Sequence, residues 1–155
     1  MTSEPGLVAT PMPDFAADEA ARGSIEAIIR AQFEAFRDRR REDSEALLAA
    51  EFTFTSPYDD AIDRDAFFAR CWPEGDRFAD IAIERIIADT AGGYITYLAT
   101  TAEGEQFRNT EYLTVADGQI RSADVYFGAR YSGAARSSPG KLASLSRADQ
   151  ASAGA

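Results

Sequence analysis

The sequence predicts an α+β fold in which three helices precede an antiparallel sheet and lie over one of its faces. Apolar residues recur at helical spacing only in the first half of the chain. Four longer alternating segments fill the second half. The turn-forming pairs Gly92-Gly93, Glu103-Gly104 and Asp117-Gly118 separate those segments as in a meander.

Residues 1–17 are rich in Pro, Thr and Ala without apolar periodicity and read as a flexible arm. Helix 1 is expected to open at Ser24, a favoured N-cap residue. Its apolar stripe is Ile25, Ile28, Ile29, Phe33 and Phe36, with Glu26, Arg30 and Glu34 on the other side. A second helix is expected from Ser44 to about Ala50, with Leu47 and Leu48 buried. Phe52–Ser56 alternates as a short strand ended by Pro57. Asp63 is placed to cap helix 3, whose apolar face is Phe67, Phe68, Cys71 and Trp72, and Pro73 and Gly75 stop it. The four strands are expected at Phe78–Ala88, Tyr94–Thr101, Gln106–Ala116 and Gln119–Phe127. Residues 132–155 are mostly Ser, Ala, Gly and Arg, a composition that reads as a disordered tail. The domain is therefore expected over 18–131.

Composition excludes several functions. The 155 residues suit one domain with a proper core. With 26 acidic and 16 basic residues, the net charge of -10 argues against nucleic acid and anionic membranes as partners. The chain has no histidine, which rules out Ser-His and Cys-His nucleophile pairs and His-built zinc sites. Cys71 is the only cysteine, so no intrachain disulfide forms, as suits a cytoplasmic protein. Its thiol is expected to be buried and inert. No metal-ligand spacing is present, and neither a metal nor a cofactor is expected.

The Asp117-Gly118 turn permits a register argument. A two-residue hairpin pairs Ala116 with Gln119. Counting back sets Glu111 opposite Asp124 and Asn109 opposite Tyr126, on one face with Phe107, Leu113 and Val115. If that face is enclosed, two opposed carboxylates form a candidate catalytic acid–base pair, with Asn109 and Tyr126 as hydrogen-bonding neighbours. A bulge near the turn would instead shift the register by one and send Asp124 to the outer face. The outer face, with Thr110, Tyr112, Val125 and Phe127, is apolar enough to suggest a homodimer. The Ser56–Asp60 loop offers Tyr58 and Asp59 as ligand-binding candidates beside the alternative of ordinary turn chemistry. Trp72 is either core or a platform at a pocket mouth. Tyr97, whose facing is open, completes the candidate set.

The order of elements, with the strings FTFTSPYDDAIDRDAFFARCWP, FRNTEYLTVADGQI and VYFG, resembles the SnoaL-like branch of the nuclear transport factor 2-like superfamily over about Ile25 to Gly128. The resemblance implies a curved antiparallel sheet closed by helices into a cone (a cystatin-like α+β barrel), a mostly apolar pocket, and homodimers through the outer sheet face. It implies a protein that binds a small, largely apolar organic molecule, as an isomerase, cyclase or lyase without cofactor. Alternatives are an acid–base enzyme using Glu111 and Asp124, epoxide hydrolase- or dehydratase-like, and a non-catalytic association module. Ketosteroid isomerases carry an Asp before the Pro that follows the first strand. Here that position is Ser56, so their proton abstraction does not transfer.

Overall fold

The computed structural model describes residues 14–72 and 78–128 and the backbone of 130–131. Residues 1–13, the expected helix stop at Pro73 and Gly75, and the tail from 132 lie outside the described residues.

The first helix, α1, spans Phe15–Arg37 and begins well before Ser24. Asp14 caps it, its side chain accepting from the Ala17 amide at 3.1 Å. Ser24 is mid-helix, its hydroxyl bonded back to the Ala20 carbonyl at 3.0 Å. The extra turns are Ala-rich and leave Phe15 exposed. Helix propensity and the Arg22–Glu19 ion pair carry them, without an apolar stripe to reveal them in the sequence. From Ile25 onward the expected stripe packs inward, with Ile25, Ile29 and Phe33 buried.

Helix α2 (Arg41–Leu47) is short, and the chain turns into strand β1 at Leu48. Leu48 and Ala49 are therefore buried as strand residues. Strand β1 (Leu48–Ser56) is followed by the polar edge strand β2 (Asp59–Asp63) and by α3 (Arg64–Arg70). Asp63 caps α3 as expected, accepting from the Ala66 amide at 2.8 Å. The meander follows as β3 (Phe78–Ala88), β4 (Gly92–Thr101), β5 (Gln106–Ala116) and β6 (Gln119–Tyr126), and β7 (Arg130–Tyr131) pairs with β5.

The sheet order is β2-β1-β6-β5-β4-β3, curved and covered on one face by the helices. The α+β class stands. The sheet is mixed, because β1 runs parallel to β6 while its other pairings are antiparallel. The whole intervening chain supplies the long crossover that a parallel pair requires. Phe52, Ile29, Leu48, Ile95, Leu113 and Ile120 are its largest wholly buried apolar side chains. No described helix is long and apolar enough to cross a membrane.

The last hairpin corrects the expected register. Asp117 and Gly118 both take positive φ (54° and 75°), the two-residue turn that the sequence predicts. Ala116 pairs with Gln119 and Val115 with Ile120, but Thr114 then pairs with Ser122. Arg121 is the extra residue of a bulge, tied down by hydrogen bonds to the Ala116 carbonyl and to Asp117 and by an ion pair with Glu51. Glu111 therefore faces Val125, Asp124 faces Tyr112, and Tyr126 faces Thr110. Asp124 and Tyr126 stand on the outer face, so the Glu111–Asp124 pair does not form. Val125 and Phe127, expected outside, line the interior instead.

Trp72 closes one end of the core, its ring 5.4 Å from both Phe36 and Phe68. Trp72→Ala should cost about 3–5 kcal/mol in urea denaturation. A loss under about 1 kcal/mol would place the ring at the periphery.

Candidate functional site

The helices do not fill the concave side of the sheet. A cavity of about 320 Å³ lies between α1, α3 and strands β1, β3, β4, β5 and β6. Its walls are largely aromatic and aliphatic, with Phe33 and Phe36 on the helix side and Phe54, Ile81, Leu113 and Val125 on the sheet.

Strict alternation along β5 turns Phe107, Asn109, Glu111, Leu113 and Val115 inward. Glu111 is thereby a carboxyl 9% exposed at the cavity wall. Tyr97, on β4 opposite Asn109, also points inward, which settles its facing. Its hydroxyl donates to Glu111 Oε1 at 2.7 Å. Asn109 Nδ2 donates to that hydroxyl at 3.3 Å, and the Gly128 amide donates to Asn109 Oδ1 at 3.1 Å. Burial pushes Glu111 from 4.5 up to about 7, against the opposing pull of the Tyr97 hydrogen bond. Burial also lifts Tyr97 well above the usual tyrosine value, and the Glu111 carboxyl beside it adds to the rise. The arrangement is one proton-exchanging group near neutrality inside an apolar chamber.

A second polar cluster lies where the lining is more exposed. Asp59 Oδ2 accepts from the Ser56 hydroxyl at 3.0 Å. Asp59 Oδ1 lies 2.6 Å from Arg70 Nη2, an ion pair whose angle is out of line for a hydrogen bond. Tyr58 rests on Phe127 with ring centroids 5.6 Å apart. All five side chains border the cavity.

Of the candidates named from sequence, the structure brings Tyr58, Asp59, Tyr97, Asn109 and Glu111 to one cavity. Asp124 and Tyr126 are excluded by the bulge, and Trp72 packs as core behind the wall. Cys71 is half-buried and borders the cavity, in contrast to the buried thiol expected. Sequence reasoning missed Gln32. It is 6% exposed, borders the cavity, and accepts from the Ser44 hydroxyl at 3.0 Å. Its Nε2 has no hydrogen-bond partner among the described residues. The available signal was position: Gln32 interrupts the apolar stripe one turn after Ile28 and Ile29, where a polar side chain must be buried. Among the described residues no group of three or more His, Cys, Asp or Glu side chains could hold a metal.

No protein-family model matches this chain. No curated protein matches it by sequence. Solved structures do match in fold. A candidate ketosteroid isomerase from Kribbella flavida DSM 17836 shares 21% identity, covering 84% of this chain and 90% of its own, with a TM-score of 0.63. An NTF2-like protein of unknown function from Burkholderia xenovorans LB400 shares 15% identity over 76% of this chain and 89% of its own, with a TM-score of 0.63. A candidate SnoaL-like polyketide cyclase from Jannaschia sp. CCS1 shares 14% identity over 79% of this chain and 91% of its own, with a TM-score of 0.59. The chain has the nuclear transport factor 2-like fold.

The buried carboxyl gives stability a definite pH dependence. Glu111 binds its proton below about 7 in the folded chain and below about 4.5 when unfolded. Between those values the folded state holds a proton that the unfolded state has released, so stability falls as pH rises through this window. Glu111→Gln does not titrate and keeps an acceptor for Tyr97. Its advantage over the wild type should open across the window and level off above it at about 3 kcal/mol or less. Denaturation midpoints measured across that range check this, and a constant difference would contradict it.

Proposed function

We propose that this chain encloses a small, largely apolar organic molecule in its cavity and moves a proton on it through Glu111, as a cofactor-independent isomerase, cyclase or lyase. One observation carries the reading: a buried carboxyl with a pKa of about 7 in an apolar chamber of about 320 Å³. That volume is at the lower end of what small-molecule sites occupy. A general acid or base works best with a pKa near the operating pH.

Ionised Glu111 accepts a proton from an acidic C–H or O–H, and the protonated acid returns it elsewhere on the same molecule. The Gln32 amide on the helix side can donate to an oxygen of the occupant. The candidate isomerase and cyclase among the fold relatives support this reaction class without identifying a substrate. The cavity itself weighs against a pure association module, whose interior side chains would fill the space.

A thermal-shift screen against terpenoid, steroid and aromatic polyketide compounds tests the reading. A binder present at a hundred times its Kd should add about 2.7 kcal/mol of stability. Glu111→Gln should retain binding within the same compound class and lose turnover by about a hundredfold or more. The absence of any stabilising compound, or full turnover in Glu111→Gln, would overturn it.

The same reading includes a homodimer through the outer sheet face. Ile87, Tyr94, Tyr112 and Asp124 lie in one row across β3 to β6, with Tyr126 beside them. Ile87, Tyr94 and Tyr126 are 62%, 50% and 57% exposed in the single chain. Light scattering at micromolar concentration should give a dimer that Tyr112→Arg converts to monomer. A monomeric wild type would refute it.

A further inference from the structure

The hydrogen bonds behind Glu111 form a chain whose direction is fixed at its far end. A backbone amide can only donate, so the Gly128 N–H bond obliges Asn109 to turn its oxygen toward Gly128. Asn109 Nδ2 then faces Tyr97 and can only donate to it. The Tyr97 hydroxyl, receiving there, directs its own proton to Glu111 Oε1. Oε1 is thus an acceptor in both protonation states of the carboxyl. When Glu111 is protonated, the proton sits on Oε2. That oxygen has no hydrogen-bond partner among the described residues, and the Glu111 side chain borders the cavity.

We propose that Asn109 is a positioning residue which, anchored by the Gly128 amide, fixes the Tyr97 hydroxyl as a donor to Glu111 Oε1 and leaves Oε2 as the single oxygen that exchanges a proton with the occupant of the cavity. This deepens the proposed function and rests on its assignment of Glu111. It also narrows the ligand class. One offered oxygen suits a neutral molecule whose buried end carries a lone carbonyl, hydroxyl or ether oxygen, or an acidic C–H beside one. It does not suit an amidine or guanidine, which needs both carboxylate oxygens at once.

A further observation agrees. A Cβ at position 128 would run into the Arg108 backbone carbonyl, so only glycine brings this amide close enough to β5 to reach Asn109. The titratable and charged groups that share the cavity with Glu111 are few. They are Tyr97 from β4, Tyr58 and Asp59 from the β1–β2 turn and β2, and Arg70 and Cys71 from α3 and its C-cap. Helix α1 presents Gln32, Phe33 and Phe36, and the cavity-lining residues of β1, β3 and β6 carry no charge.

The test is a carbon-13 NMR titration of the Glu111 carboxyl in the ligand-free full chain. Tyr97→Phe removes a donor to the ionised form and should raise the midpoint by about one to two pH units. Asn109→Leu frees the Tyr97 hydroxyl to accept from the protonated acid and should raise the midpoint by a smaller amount. Gly128→Ala should act in the same direction. A merely structural Asn109 would lower stability and leave the midpoint unmoved, and that result in a folded Asn109→Leu overturns the proposal. The wild type gives a readout that needs no variant. The Tyr97 hydroxyl proton and the Asn109 side-chain amide should show a mutual nuclear Overhauser effect and shift with the Glu111 midpoint. Independent titration of these signals also overturns it. These measurements use no ligand, so their failure is distinct from a failed ligand screen.

Discussion

Glu111 stands in the middle of β5 with its side chain turned into an apolar cavity, and the Tyr97 hydroxyl 2.7 Å away is the protein group bonded to it. A buried carboxyl must be protonated, hydrogen-bonded or paired with a cation, because an uncompensated charge there is too costly. No described cation meets it. Arg70, the cation that borders the cavity among the described residues, is paired with Asp59. The protein therefore holds Glu111 by hydrogen bonding and by a shifted proton affinity. Tyr97 and Asn109 are buried polar groups at the same cavity wall, and their hydrogen bonds run to Glu111.

The sheet supplies this arrangement through its registers. Pairing of β4 with β5 sets Tyr97 opposite Asn109 and Ile95 opposite Glu111, so Tyr97 reaches Glu111 along the diagonal. On the other side, the Arg121 bulge decides which residues of β6 join the chamber. With the bulge, Ala123 and Val125 face inward and the wall beside Glu111 is apolar. Without it, Asp124 would stand there and a second carboxylate would compete for the same proton. One extra residue near a turn separates a single-carboxyl site from a two-carboxyl site.

Much of this was legible in the sequence. The β5 alternation placed Asn109 and Glu111 on one face, and the Asp63 cap and the Asp117-Gly118 turn followed from local chemistry alone. The bulge was not legible, because nothing in Gln119–Ser122 distinguishes a regular strand from one with an extra residue held by distant partners such as Glu51. Strand β2 was hidden by its polarity. Its sequence Asp59–Asp63 reads as turn residues, and only pairing with β1 makes it a strand. The early start of α1 was hidden for the opposite reason, since a helix held by propensity and surface pairs carries no apolar stripe. Gln32 could have been found, as a polar residue inside an otherwise apolar stripe.

The central claim is that Glu111 is a largely buried acid that still carries its proton close to neutrality. Infrared difference spectroscopy of the wild type against Glu111→Gln measures this directly. The account predicts a protonated-acid carbonyl band in the wild type that is absent in the variant and disappears as pH rises through about 7. A Glu111 carboxyl that titrates near the ordinary glutamate value of about 4.5 would contradict it.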